Sequence, residues 1–220
     1  MSDRFQPITM EQLTDWIFTE LEEHNAIFGI PRQAFFKPSD TDRFRQPNYD
    51  TTLDTPFGVA AGPHTQMAQN IVVAWLVGAR FIELKTVQTL DELDVNKPCI
   101  DLEVEGYNVE WSQELKVYQS FDEYLRAWVL IHALHKKLGF RGDAPGMIFN
   151  MSVGYNLEGI QQPNVQWFLD TMGDASAYLG DYVDLVAERY PAIRDLTIPA
   201  QLSDNVTLST MHGCPPDEIE

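Results

Sequence analysis

Residues 55–86 carry the pattern that most restricts this chain. A short apolar run, Thr55-Pro56-Phe57-Gly58-Val59-Ala60-Ala61, stops at Gly62-Pro63. From about Thr65, Met67, Ile71, Val72, Trp75 and Leu76 then fall on one face of a helix that Gly78 ends. A second run, Arg80-Phe81-Ile82-Glu83-Leu84-Lys85-Thr86, follows at once. Strand, helix and strand within about 30 residues make one right-handed parallel crossover. A chain that makes one such crossover needs helices over its sheet, which commits it to an α/β architecture.

The rest of the chain repeats the alternation. Gly146-Met147-Ile148-Phe149-Asn150 reads as a third strand and Asn205-Val206-Thr207-Leu208-Ser209 as a fourth. Ile193 to Ile198 reads as one more short strand. Ser120 is placed to cap a long helix through about Leu138, stopped by Gly139, and a helical pattern from about Asn164 to Tyr190 breaks near Gly173. Ile100, Leu102 and Val104 alternate with acids before Gly106, and Tyr107, Val109 and Trp111 follow, which predicts a small two-stranded ribbon outside the main sheet. Ahead of the sheet, Thr9 and Gln12 form a capping box and Ile8 staples to Leu13. Leu13, Trp16, Ile17 and Leu21 make the apolar face of that first helix, and Gly29-Ile30-Pro31 ends the segment. Residues 31–50 read as a connecting arm anchored by Phe35, Phe36 and Phe44. The organisation predicted is a helix and arm over 1–50 and the first part of a (β/α)8 barrel over 51–220. Four or five units are present where a full barrel takes eight. Pro216-Asp217-Glu218 opens a helix at the last residues given, so the remaining units are expected beyond Glu220.

The 220 residues hold 15 Lys and Arg against 33 Asp and Glu, a formal charge of −18. Nucleic-acid binding needs a basic footprint, and an anionic membrane surface repels such a chain, so neither partner is expected. Two cysteines make no disulfide framework, and no apolar signal core follows Met1, so a cytoplasmic location is expected. No Walker or dinucleotide glycine motif and no calcium-loop spacing is present. His132 and His135 stand at i and i+3 without a third ligand, and are read as helix-surface residues; no metal site is expected.

Chemistry on a parallel sheet gathers at the carboxyl ends of its strands. Those ends carry Gly62, Lys85, Asn150 and the stretch Ser209 to Cys214. Gly62 marks either a plain turn or a place where a flat ring approaches the backbone, with Ala60 and Ala61 leaving room for it. Lys85 is either an exposed strand-end lysine or a fixed positive charge. Cys214 precedes a helix start that favours its thiolate, or it is a small buried hydrophobe. His212 is a second acid/base candidate, and His64 is either a substrate contact or a helix cap.

At these strand ends the sequence resembles a known family. Thr55 to Pro63 resembles the first barrel strand of dihydroorotate dehydrogenases and of the barrel domain of dihydropyrimidine dehydrogenase. Gly78-Ala79-Arg80-Phe81-Ile82-Glu83-Leu84-Lys85-Thr86 resembles their second strand. Lys97-Pro98-Cys99-Ile100, Glu105-Gly106-Tyr107-Asn108-Val109-Glu110-Trp111 and Ser209-Thr210-Met211-His212-Gly213-Cys214-Pro215-Pro216 are similar to the N-terminal part of the selenate reductase FAD/iron–sulfur subunits. The resemblance implies a TIM barrel of dihydroorotate-dehydrogenase type that holds FMN at its carboxyl face. Ala60, Ala61, Gly62, Lys85, Thr86, Asn150 and Ser209 would seat the flavin, and Cys214 or His212 would move the proton. The implied activity is electron transfer through FMN to a small-molecule substrate. FAD, NAD(P)H and [4Fe–4S] sites are expected only in other redox domains or subunits. One departure matters: Ser209 stands where the family has Asn, and the cysteine follows later. That departure keeps an alternative open, a flavin-free barrel that docks reductase partners. An aldolase-like barrel would need Lys85 as a Schiff base.

Overall fold

The computed structural model describes residues 5–39, 41–48, 51–90, 100–101, 107–108 and 114–209. Helix α1 (Met10–His24) starts as its sequence dictates. The Thr9 hydroxyl accepts the Gln12 N–H and the Gln12 side chain accepts the Thr9 N–H, both at 3.3 Å. Asn25, one of the residue types that tolerates a left-handed backbone, ends α1 at φ 52°. The chain then makes the tight hairpin β1 (Ala26–Ile27) and β2 (Ile30–Pro31), so the helix stops several residues before Gly29. The buried face is Met10, Leu13, Thr14, Ile17 and Phe18. Trp16, expected on that face, is 46% exposed and meets the Phe28 ring edge-on. Phe18 takes the inward place because it stacks on Tyr190 at 5.4 Å, where α1 packs beside the last long helix. Of the three expected anchors, Phe35 is buried and Phe36 is half-buried, its N–H bonded to the Leu76 carbonyl, whereas Phe44 is exposed.

A second hairpin, β3 (Gln46–Asn48) with β4 (Thr51–Leu53), leads into the main sheet. That sheet holds β5 (Gly58–Val59), α2 (Ala68–Leu76) and β6 (Phe81–Glu83) as its first unit. The predicted ribbon is present as the antiparallel pair β7 (Ile100–Asp101) and β8 (Tyr107–Asn108). Helix α3 (Val117–Lys137), β9 (Ile148–Gly154), α4 (Leu157–Ile160), α5 (Pro163–Gly173), α6 (Ser176–Arg189) and β10 (Val206–Ser209) follow. The four strands β5, β6, β9 and β10 lie side by side in chain order, and every pairing is parallel. That is the order of successive barrel strands, and the architecture is α/β with a partial barrel. Ile193 to Ile198 is not a strand: Pro191–Asp195 winds into a 3-10 turn that buries Ile193. Ser120 does not cap α3. The helix begins four residues earlier than such a cap would start it, where the Gln119 side chain accepts the Lys116 N–H at 3.0 Å, and Ser120 lies buried in the first turn.

Strand β9 runs four residues past Asn150, the point at which its apolar run was read as ending. Asn150 and Ser152 sit on the inward face, where polar side chains interrupt the apolar run without ending the strand. The outward face is apolar: Ile82, Phe149, Met151 and Val153 join Trp75, Leu125 and Phe168 from the helices in one core. Gly58 is required where β5 meets β6, since a Cβ there would lie 2.3 Å from the Phe81 carbonyl oxygen.

Charges are buried at the amino-terminal end of the sheet. Arg80, fully buried, donates from Nη1 to the Trp75 and Ala79 carbonyls at 2.6 and 2.9 Å, and its Nε lies 3.7 Å from Asp54. Burial lowers the Arg80 pKa to about 10, which leaves it charged at neutral pH. His132 and His135 are also buried, not on the helix surface. Each ring meets a backbone carbonyl, Trp128 at 2.9 Å and Arg141 at 3.0 Å.

Burial pushes His132 down to about 4 from 6.5. Between those values the unfolded chain binds a proton that the folded chain does not, so stability falls as pH falls. The full effect is about 3 kcal/mol below pH 4. Urea unfolding at pH 7 and pH 4.5 is expected to show a smaller acid loss in His132→Gln than in the wild type. The raised carboxyls of Asp54 and Glu123 act in the opposite sense and are common to both proteins. Equal losses would show that His132 carries no such penalty.

Candidate functional site

The carboxyl ends of β5, β6, β9 and β10 bring together residues more than a hundred positions apart in sequence. Glu83 and Asn150 are register partners and share the inward face, as do Gly154 and Ser209 at the rim. A polar ladder crosses that face. Ala61 N–H donates to Glu83 Oε2 at 3.3 Å, and Asn150 Nδ2 donates to Thr207 Oγ1 at 2.8 Å. The Thr86 and Ser152 hydroxyls meet at 2.9 Å.

The second strand is not regular at this end. Glu83 pairs with Asn150, but Val87 pairs with Val153, so four steps along one strand oppose three along the other. The extra residue makes a bulge that contains Lys85, with Leu84 and Val87 both in the outward core. Bulges of this kind re-aim a side chain near functional sites. Lys85 is 4% exposed, and its carbonyl accepts the Tyr124 hydroxyl at 3.1 Å. Burial of that phenol raises its pKa, so it stays a proton donor.

The loop after β5 is held from below. Gly62 N–H donates to the Thr65 hydroxyl at 3.1 Å, and Thr65 N–H to the Gly62 carbonyl at 2.9 Å. Gly62 has extended backbone, and the place of its missing Cβ is taken by the His64 ring, whose Cε1 would lie 2.8 Å away. Its lack of a side chain leaves room for the His64 ring. Ala60 is exposed and Ala61 half-buried, so the outer side of the strand end stays low. At the start of α2, Glu123 from α3 accepts the Ala68 N–H at 2.7 Å and pairs with Arg126. Arg126 in turn donates to the Ile8 carbonyl at 3.1 Å. Glu123 is fully buried, and desolvation raises its pKa against the pull of these donors.

The sequence-predicted residues divide accordingly. Ala60, Ala61, Gly62, Lys85, Thr86 and Ser209 lie at neighbouring strand ends. Asn150 does not stand at an end: it lies mid-strand, four residues below the rim, on the level of Glu83. Cys214 and His212 lie outside the described residues, as do Cys99 and most of the ribbon. Sequence reading missed Glu83, Ser152 and Thr207. The alternation in Asn150-Met151-Ser152-Val153-Gly154 was the available signal for Ser152. A cavity of about 520 Å³ opens at the opposite, amino-terminal end, lined by Arg45, Asp54, Trp128, His132 and Gln201, and shares none of these residues.

Comparison with known proteins decides the family: the model described as "Oxidoreductase YgfK, N-terminal TIM-barrel domain" matches residues 28–220. The chain belongs to that family. It is 46% identical over 239 aligned residues to YgfK of Escherichia coli strain K12, with all of this chain covered. The same values hold for YgfK of Escherichia coli O157:H7. The chain spans 23% of the length of these relatives. Within the YgfK N-terminal family, then, the four parallel strands are successive strands of a TIM barrel, and the polar ladder lies on the inside of that barrel. Among the described residues no helix is long and apolar enough to cross a membrane.

Removing the Glu123 carboxylate leaves the Ala68 N–H and Arg126 without it. Glu123→Ala is expected to cost about 3 kcal/mol in denaturant unfolding, the loss typical of breaking a buried ion pair from one side. Glu123→Gln, which keeps an acceptor for Ala68, is expected to cost less. Equal costs would show that the cap on α2 contributes nothing.

Proposed function

We propose that the carboxyl face of this sheet is the flavin half of an FMN-dependent oxidoreductase barrel. The observation that supports it most is the bulge at the end of β6, which sets a buried lysine among the ends of β5 and β9. The donor set fits the pyrimidine edge of a flavin, which presents acceptor, donor and acceptor in a row. Lys85 supplies a positive charge for N1 and O2, where reduction adds negative charge. Asn150, its Nδ2 held by Thr207, has its carbonyl oxygen left to accept an N–H. The small residues Ala60 and Ala61 give the ring a low wall. Bound FMN would supply the two-electron chemistry. Gly62, Thr86 and Ser209 line the same rim and would complete its seat. Cys214 or His212 would carry the proton of the substrate step.

The length of the relatives supports a multidomain protein, with FAD, NAD(P)H and [4Fe–4S] modules feeding electrons to the barrel. Resemblance to the selenate reductase subunits suggests a reducible small molecule, selenate among them, as the terminal acceptor. The strong negative charge suits a cytoplasmic protein whose partners are redox domains and not nucleic acid or membrane.

The test is the FMN content of the intact protein after acid extraction. FMN is expected at one per barrel, and Lys85→Ala is expected to weaken its binding about 10- to 100-fold, the worth of one charge-assisted hydrogen bond. FAD without FMN would overturn the reading and favour the docking scaffold, and FMN unaffected by Lys85→Ala would overturn the seat built around Lys85.

A further inference from the structure

Among the described residues, three that are not glycine have a positive φ. Asn25 at 52° and Phe28 at 50° lie in the left-handed region, one at a helix end and one in a hairpin turn. Tyr155 is different: its φ is 106°, beyond that region, where a side chain with a Cβ is strained. It is the first residue after β9, directly above Gly154, the register partner of Ser209. The turn is pinned on every side. Gly154 N–H donates to the Val87 carbonyl at 2.9 Å, just past the bulge that holds Lys85. Asn156 caps α4 through the Gly159 N–H at 2.8 Å. The Tyr155 ring lies directly on Gly159, where a Cβ would come 2.3 Å from its Cδ1. Thus both irregular features fall at the same end of the two central strands, an inserted residue past Glu83 and a strained one just past the end of β9.

We propose that Tyr155 is a positioning residue of the site: its ring, wedged on Gly159, holds the Gly154–Asn156 backbone in a disfavoured turn that shapes the rim against the bound flavin. The proposal rests on the flavin reading above. The functional element is the backbone, and the phenol hydroxyl takes no part. Strain kept at a strand end has a recognisable signature, because relieving it stabilises the fold while it harms the site. A residue that merely packs moves both in the same direction.

The experiment compares wild type, Tyr155→Phe, Tyr155→Gly and Gly159→Ala as intact proteins, reading FMN dissociation constant, flavin midpoint potential and thermal midpoint. Tyr155→Phe is expected to bind FMN within about twofold of wild type and to keep its potential. Tyr155→Gly is expected to bind at least about tenfold more weakly, with a shifted potential and a thermal midpoint equal to or above wild type. Gly159→Ala, which drives the ring from its seat, is expected to weaken FMN similarly. Tyr155→Gly that binds FMN as tightly as wild type overturns the proposal and leaves the flavin reading intact. A fall in thermal midpoint alongside lost FMN also overturns it, because the ring then only supports the fold. Wild type without FMN overturns the flavin reading and this inference together.

Discussion

Parallel pairing of neighbouring strands is the constraint from which the rest of the structure follows. Two parallel strands cannot be joined by a tight turn, so each pairing costs a crossover, and here the crossovers are helices laid over one face. That face must be apolar, and Ile82, Leu84, Phe149, Met151 and Val153 satisfy it beneath α2, α3 and α5. Alternation along each strand then assigns the other face to Glu83, Asn150, Ser152 and Thr207. A polar inward face is therefore the counterpart of the apolar outward one. The covering weakens at β10, where Val206 and Leu208 are 44% and 59% exposed on the helix-facing side.

The two ends of the sheet are secured by different physics. At the amino-terminal end, Arg80 is sunk completely and held by two carbonyls, by Asp54 and by the faces of Phe36 and Trp75 at 5.4 and 5.2 Å. A buried arginine with so many partners locks the entry points of β5 and β6. At the carboxyl end, the locking group is Glu123, which sits outside the strands and acts on the start of α2. It fixes the loop after β5 without occupying the inward face. The rim is thus held from behind.

Local signals in the sequence were the most legible. The Thr9–Gln12 capping box, the break at Gly173 and the first strand–helix–strand unit all depend on residues within a few positions of one another. What was misread depended on packing. Trp16 and Phe18 both suit an apolar stripe, and only Tyr190, over 170 residues away, selects Phe18. Ser120 is a better cap by type than Lys116, but the Gln119 side chain and the burial of Ser120 move the start of α3. Strand β9 was cut short because an inward polar residue resembles the end of an apolar run. Predicted rim residues from β5, β6 and β10 stand at the carboxyl ends of those strands, although β5 (Gly58–Val59) and β6 (Phe81–Glu83) are shorter than the apolar runs over 55–61 and 80–86. The same reasoning failed for Asn150, whose strand continues. Neither the bulge at Lys85 nor the strained φ of Tyr155 has a sequence signature, since each is a relation between strands and not a property of a residue.

The distribution of irregularity is itself informative. From Gly58 to Glu83 and from Ile148 to Asn150 the pairing is regular, and the side chains there face a close-packed core. Beyond Glu83 the second strand takes in an extra residue, whereas β9 keeps regular register with β10 to Gly154 and the strained Tyr155 follows just past its end. Packing accounts for the inserted residue, because Leu84, Val87 and Val153 are all buried on the outward side. A regular continuation of β6 would turn Val87, four residues beyond Glu83, onto the inward face, so the inserted residue is what keeps Leu84 and Val87 together in the outward core. Both features stand at the end of the sheet where barrels carry their chemistry. The rim differs in this from the cavity at the amino-terminal end: that cavity adjoins strands of regular geometry, with buried groups such as Asp54 and His132 already engaged by neighbours within the fold.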